Sequence, residues 1–389
     1  MTTRSNIGRF VALLVVGTVW LSAGVSFAAT DDEHEIFVLT GGEVWAGEET
    51  GGHGVALVHW RWQPSQTPLR FDAQYNTDTV RLRLAGPTDT LHSEFYGALK
   101  AQYPFARMLP DYYRRGERVG ARGFRAGYAA ATAGWKGGWR PHWIDVSLTG
   151  RRWLFEPTEA TASDLRLPPD TWSARLRASY ALWMVLDDTS QWQPHQPFDR
   201  VEGFAAGLDL AVDLRADTRS WGDRGAANGV DPRVNRPSNP ALIARQWGAV
   251  GIPLAAWGRL QLYERAAWHR GGDDLTRDRL GGLNPYVAPV AGLPWAALVS
   301  GRYATGRAEL RLEMPLDHEF GIFTDTAAVA DPRRSGARSE LGLAAGAGLL
   351  ADLRWGAWKV DLRLGTALPR RWLDARPLLN GWLSVGRRW

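Results

Sequence analysis

Apolar and polar residues alternate with a period of two along almost the whole chain. In 204–215, Leu208, Leu210, Val212 and Leu214 interleave with Asp209, Asp213 and Arg215. In 173–184, Leu176, Ala178, Tyr180 and Leu182 interleave with Arg175, Arg177 and Ser179. Val80, Leu82 and Leu84 alternate with Arg81 and Arg83; Leu310, Leu312 and Met314 with Arg307, Glu309, Arg311 and Glu313; Trp358, Val360, Leu362 and Leu364 with Lys359, Asp361 and Arg363. One face of each segment is apolar and the other carries full charges, the pattern of strands set between lipid and a watery lumen. Helical spacing is nowhere persuasive.

The alternation predicts sixteen strands, at 36–45, 53–62, 68–75, 78–85, 92–102, 121–134, 141–155, 172–187, 203–215, 242–252, 256–270, 297–314, 319–330, 339–352, 355–368 and 379–389. The fold class this implies is all-β, a sixteen-stranded antiparallel transmembrane barrel of the outer-membrane type, since an even strand count suits such a barrel. With both ends periplasmic, odd-numbered connections are extracellular and long, even-numbered ones short. The long stretches 103–120, 156–171, 216–241 and 271–296 fall at odd positions, and the short turns 63–67, 86–91, 135–140, 253–255, 315–318 and 353–354 at even ones. Two connections break the rhythm: 188–202 is long where a turn is expected, and 76–77 is short where a loop is expected. Gly222, Gly225, Asn228, Gly229, Pro232, Pro237 and Pro240 mark 217–241 as loop.

The first residues assign an export route. Arg4 and Arg9 form a basic region, Phe10 to Leu21 is an apolar stretch, and Ser26, Ala28 and Ala29 suit signal-peptidase cleavage after Ala28. Residues 1–28 therefore read as a signal peptide and 29–389 as one barrel domain. Without Arg4 and Arg9 the 46 basic residues become 44 against 41 acidic, a net +3 spread along the chain that gives no footprint for nucleic acid. The chain has no cysteine, so an exported domain must be held by its sheet and core alone. Its 21 tryptophans match the aromatic girdles of outer-membrane barrels, and also fit a Trp-rich soluble binding domain.

The C-terminal part adds a family. Leu280-Gly281-Gly282 opens the long connection after the eleventh strand, Glu309-Leu310-Arg311 lies in the next strand, and Phe323-Thr324-Asp325 in the one after. In order and spacing these elements resemble the Omp85 (bacterial surface antigen D15) outer-membrane barrel superfamily, over residues 279–389. The resemblance implies a sixth extracellular loop that folds into the lumen, where an Arg-Gly-aromatic motif presents its Arg to the Asp of the strand-thirteen element. The matching stretch here is Asn284-Pro285-Tyr286, so Tyr286 and Asp325 remain and the Arg is absent. An Asn in its place loses the charge-assisted part of that contact. The resemblance also implies a C-terminal assembly signal, matched by Leu383, Val385 and Trp389, with Arg387 where an apolar residue is usual. Only residues 29–35 separate the expected cleavage site from the first strand, so the chain reads as a barrel-only member lacking POTRA domains.

No catalytic constellation stands out: there is no G-x-S-x-G elbow, no H-E-x-x-H, no metal spacing among the eight His and no phosphate loop. The expectation is a non-enzyme with no cofactor and no metal. His59 reads as a lumenal polar residue beside Arg61, and Asp187-Asp188 and Asp273-Asp274 as solvated loop carboxylates before cation ligands. Arg61, Arg81, Arg83, Arg175, Arg177, Lys359 and Arg363, with Asp209, Asp213, Glu309 and Glu313, are expected to face the lumen, because an Arg or Lys facing lipid at the midplane costs about 2–4 kcal/mol. They either line a polar conduit or pair across the lumen and fill it. Asp325, on the face of Phe323, is expected to anchor the loop.

The function that the resemblance implies is outer-membrane protein insertion or polypeptide translocation, through a first-to-last strand seam weakened by Gly381 and Gly386. The alternatives are a passive or regulated diffusion pore and, further off, an outer-membrane enzyme acting on lipid or sugar. The expected partners are outer-membrane lipid and lipopolysaccharide, the barrel-assembly machinery during biogenesis, and a separate periplasmic protein.

Overall fold

The computed structural model describes residues 33–46, 51–65, 67–76, 79–88, 93–102, 113–114, 117–118, 124–159, 161–185, 203–223, 234–254, 257–283, 288–291, 293, 298–330, 341–367 and 379–388. The signal peptide expected at 1–28, Asp187-Asp188, the Asn284-Pro285-Tyr286 motif and Trp389 lie outside them.

Sixteen antiparallel strands close into one barrel. They are β1 (Glu33–Ala46), β2 (Gly51–Gln63), β3 (Arg70–Asn76), β4 (Thr79–Thr88), β5 (Ser93–Gln102), β6 (Phe124–Trp139), β7 (His142–Pro157) and β8 (Thr171–Val185). Then follow β9 (Gly203–Arg215), β10 (Ala241–Pro253), β11 (Gly258–Arg270), β12 (Arg302–Met314), β13 (His318–Ala330), β14 (Leu341–Trp355), β15 (Trp358–Ala367) and β16 (Leu379–Arg388). Each strand pairs with its neighbour in sequence, and β1 pairs with β16. All sixteen expected strands are present in their expected order. The short connection after β3 is also real, since Asn76 pairs directly with Thr79.

The two faces separate as the alternation requires. Leu82, Leu84, Leu148, Leu176, Leu208, Ile322, Leu349 and Leu364 are exposed on the outside. Trp139, Trp257 and Trp355 are exposed beside the short turns, and Trp172 and Trp268 at the opposite, long-loop end, so aromatic residues rim the apolar band on both sides. Not every tryptophan serves this role: Trp153, Trp221 and Trp382 are buried inside. An outer face this apolar on a closed barrel is incompatible with the Trp-rich soluble domain, because water would meet contiguous leucine all round.

Three boundaries differ from the sequence pattern. Residues 135–139 are strand, not turn, and the chain reverses at Arg140-Pro141. Gly137 and Gly138 act there as close-approach residues, since a Cβ on Gly138 would meet the His142 carbonyl. The turn expected at 353–354 lies at Gly356-Ala357, with Gly356 at φ +57°. The strand expected over 297–314 is interrupted: Leu298–Ser300 pairs with Asp278–Leu280 inside the loop, and the barrel wall starts at Arg302.

The seam is paired along its length. β1 and β16 are in register over ten positions, from Phe37↔Arg388 to Ala46↔Leu379, with Gly381 and Gly386 paired like the rest. The β2–β3 ladder is the shorter one, with six positions. Glycine at the seam allows close approach: a Cβ on Gly41 would lie 2.7 Å from the Ser384 Cβ and closer still to the Leu383 carbonyl oxygen. Gly41→Ala is expected to cost about 1–3 kcal/mol by overpacking. It would be read as a lower temperature for loss of the compact, heat-modifiable gel band; an unchanged temperature would show that the seam yields freely.

Candidate functional site

The lumenal charges pair along the wall more than across it. Arg175 Nε donates to Asp213 at 3.1 Å and Arg177 Nε to Asp209 at 2.7 Å, both between β8 and β9. Arg61 donates to Asp72 and Glu35, Arg83 pairs with Glu94, and His59 Nε2 lies 3.4 Å from Asp72. Arg363 bonds Asp361 at 3.0 Å and Lys359 lies 3.2 Å from Asp352. Glu313 is more exposed and sits 3.7 Å from Arg259. A buried group joins Glu309 and Arg311 (2.8 Å), Arg311 and Glu319 (2.9 Å), and Arg363 at 3.6 Å from Glu309. The Glu-Leu-Arg element thus sits in an interlocked ion cluster, where removal of one member strands the others.

The connection between β11 and β12 folds into the lumen. It enters through Leu280-Gly281-Gly282, where Gly281 and Gly282 have φ of +115° and +87°, a conformation that needs glycine. The turn is tied internally: Gly281 N donates to Ala288 O (3.0 Å), Gly282 N to Leu293 O (3.1 Å) and Val290 N to Gly282 O (3.0 Å). Leu280, Val290 and Leu293 pack on Ala267, Tyr303, Ala327, Val329 and Ala344. Leu283 and Ala291 pack on Leu39, Val55, Leu57, Phe323, Leu350 and Trp382. The described part of the loop therefore covers β1, β2, β11–β14 and β16.

Two carboxylates hold it. Asp325, completely buried, accepts the Ala291 N–H at 2.9 Å and a bidentate pair from Arg307 at 2.6 and 2.8 Å. Arg307 is the register partner of Asp325 on β12, and its guanidinium lies over the Phe323 ring at 4.5 Å. The charge that the resemblance would place in the loop is here supplied by the wall, and the loop contributes a backbone donor. Glu43, also completely buried, accepts Leu283 N–H at 3.0 Å and Asn380 Nδ2 at 3.0 Å, and Asn380 also donates to Leu293 O at 2.5 Å. Glu43 lies on β1 and Asn380 on β16, so the loop is bonded to both strands of the seam.

Sequence reasoning missed Glu43 and Asn380 as loop contacts and Arg307 as the partner of Asp325. The available signal was Glu43 on the inward face shared by Leu39 and Gly41, an acid with no place in an apolar stripe unless something meets it.

At the long-loop end, Asp273 and Asp274 are buried, not solvated. Asp273 accepts from Arg215 (2.7 Å) and Trp221 Nε1 (2.9 Å), and Asp274 exchanges hydrogen bonds with Asn235. They bind the loop root to a small sheet of Leu165–Arg166, Trp221–Asp223 and Val234–Asn235. Asp278 pairs with Arg245 at 2.7 Å and lies 3.6 Å from His269. Burial opposes its ionisation, yet those two partners outweigh burial and hold its carboxyl well below the usual carboxylate range. Among the described residues no cluster of His, Asp and Glu fits a metal.

Of the residues expected to form an assembly signal, Leu383 and Val385 sit on the outward register of β16, opposite Gly42 and Thr40 of β1. Arg387, at the same parity, lays its guanidinium over Trp358 at 5.0 Å, an arrangement that lets a cation sit at the edge of an apolar band.

A closed sixteen-stranded antiparallel barrel with an apolar outside and the β11–β12 loop folded inside defines the class, a β-barrel of the outer-membrane type. The chain is similar to BamA from Haemophilus ducreyi lacking POTRA domains 1–3, at TM-score 0.58 and 11% identity, over 93% of this chain and 71% of that one. It is similar to CdiB from Escherichia coli, at TM-score 0.56 and 11% identity over 94% of this chain and 64% of that one, and to CdiB from Acinetobacter baumannii, at TM-score 0.51 and 12% identity over 91% and 60%. The chain thus spans less than two thirds of the length of either CdiB structure. No family model matches it, and no curated protein matches it in sequence.

Proposed function

We propose that this is an outer-membrane barrel of the Omp85 kind, acting without enzymatic chemistry in outer-membrane protein insertion or polypeptide translocation. The observation that carries the reading is the Glu43–Leu283–Asn380 contact, which bonds the lumenal loop to both sides of the seam. A loop placed there gates the junction: while it is seated, Glu43 and Asn380 are held together, and when it withdraws, both strands lose a buried partner. In this reading the short turns face the periplasm, where a separate protein delivers substrate, lipid and lipopolysaccharide contact the apolar band, and the barrel-assembly machinery reads the last strand.

The test is a reversible cross-link. Thr40 and Val385 are opposed across the seam, and the chain has no other cysteine to interfere once both are changed to Cys. Opposed residues of an antiparallel pair fall within disulfide reach. The oxidised T40C/V385C protein is expected to lose insertion of a reporter barrel into liposomes, with activity restored by reductant. Full activity in the oxidised form would remove the gated seam from the mechanism.

A second reading, a regulated pore, has its own support. A cavity of about 410 Å³ remains beside the loop, lined by Asp145, Arg177, Asp278 and Tyr303 among others.

A further inference from the structure

The described loop residues cover β1, β2, β11–β14 and β16 and leave the opposite wall, β3–β9, facing the remaining lumen. The inward positions of that wall do not balance in charge. Its carboxylates are all engaged: Asp72 and Glu94 on β3 and β5, and Asp209 and Asp213 on β9, pair with arginines, and Asp145 accepts from Tyr96 at 2.9 Å. Among the described residues no carboxylate lies at ion-pair distance from Arg81, Lys100 or Arg151; Asp72 and Asp145 act on Arg81, and Asp213 on Arg151, only from further off.

These three cations form one row. Arg81 on β4 is directly opposite Lys100 on β5, Lys100 is opposite Ala130 on β6, and Ala130 is opposite Arg151 on β7. At about 4.8 Å per strand the row spans about 14 Å. Like charges directly opposed in a ladder destabilise it, so the Arg81–Lys100 pair carries a cost, which Asp72 and Asp145 offset only from beyond ion-pair distance of Arg81. The Arg151 end also has an aromatic face: Tyr128 lies between Lys100 (5.5 Å) and Arg151 (4.8 Å), and Arg151 also covers Trp153 at 4.9 Å. Lys100 is exposed to the lumen.

We propose that this row is a binding track for an acidic, extended polypeptide segment. A single small anion would neutralise one cation of the three, whereas a chain with successive carboxylates spans the row. This deepens the reading of a polypeptide-handling barrel, on which it rests, by giving the substrate a charge.

The experiment is the fluorescence anisotropy of labelled hexaglutamate titrated with the full-length protein in detergent micelles. Binding is expected in the unaltered protein and about tenfold weaker in K100E, a charge reversal at a lumen-exposed position. R81Q is expected to weaken it less. R219Q, which alters an exposed loop arginine paired with Asp217, is expected to leave it unchanged. Retention of the heat-modifiable gel band identifies the folded variants. Equal binding by K100E and the unaltered protein would overturn the track. Tighter binding of a linear hexaphosphate than of hexaglutamate would overturn the peptide in favour of a phosphate ligand. Binding without loss of function on seam cross-linking would keep the track and discard the gate; the converse would keep the gate and discard the track.

Discussion

Replacing Asp325 with alanine is expected to cost about 3–5 kcal/mol and to unseat the lumenal loop, because the buried Arg307 loses its bidentate partner and is left with Glu309 at 3.6 Å. The geometry makes the loss twofold. Arg307 loses both arms of a bidentate contact, and the Ala291 N–H loses its acceptor in a site with no exposure to water. The check is a denaturant midpoint in a fixed detergent, together with limited proteolysis within 271–300. A double change, Arg307→Met with Asp325→Leu, separates the two losses. It is expected to recover most of the stability, as buried ion pairs replaced by apolar residues commonly do, while the loop stays cleavable for want of its anchor. If D325A is as stable and as protease-resistant as the parent, Asp325 does not anchor the loop.

Deleting residues 283–296 is expected to turn a small, flickering conductance in a planar bilayer into a steady, large one. Leu283, Val290, Ala291 and Leu293 are fully or almost fully buried, and a buried aliphatic side chain of the larger kind contributes about 1.5–3 kcal/mol. Their removal bares Leu39, Val55, Leu57 and Trp382 to lumenal water. The barrel itself is expected to survive, since its ladder closes through β1 and β16 without the loop. A steady large conductance already present in the intact protein would favour the open pore and count against a gate.

The fold was legible because lipid imposes a single rule on the wall. A charge facing outward is costly, so the alternation of Leu208, Leu210 and Val212 with Asp209 and Asp213 sets both strand and facing. Turns were less legible where glycine has two uses. Gly137 and Gly138 fall in the stretch expected as a turn and serve instead to let strands approach, whereas Gly281 and Gly282 read as a motif and do reverse the chain. The loop contacts were the least legible. Leu280, Phe323 and Asp325 were singled out through resemblance and are found together around the loop, while Glu309 and Arg311 lie in the neighbouring ion cluster. Arg307 was placed in the lumen by its parity, but its pairing with Asp325 needs the β12–β13 register, which periodicity does not supply. Glu43 and Asn380 meet the loop from opposite ends of the chain, and no local pattern connects them.

That last distance has a consequence for how the molecule matures. Glu43 is bonded to a residue 240 positions away and to another 337 positions away. Contacts of such separation form late, since the chain between them must already be ordered before they repay its entropy. The loop therefore has no finished cradle until the first and last strands have met. Seating of the loop becomes a chronological marker of closure: a barrel arrested one strand short would show its wall ladders intact and its loop still open to protease.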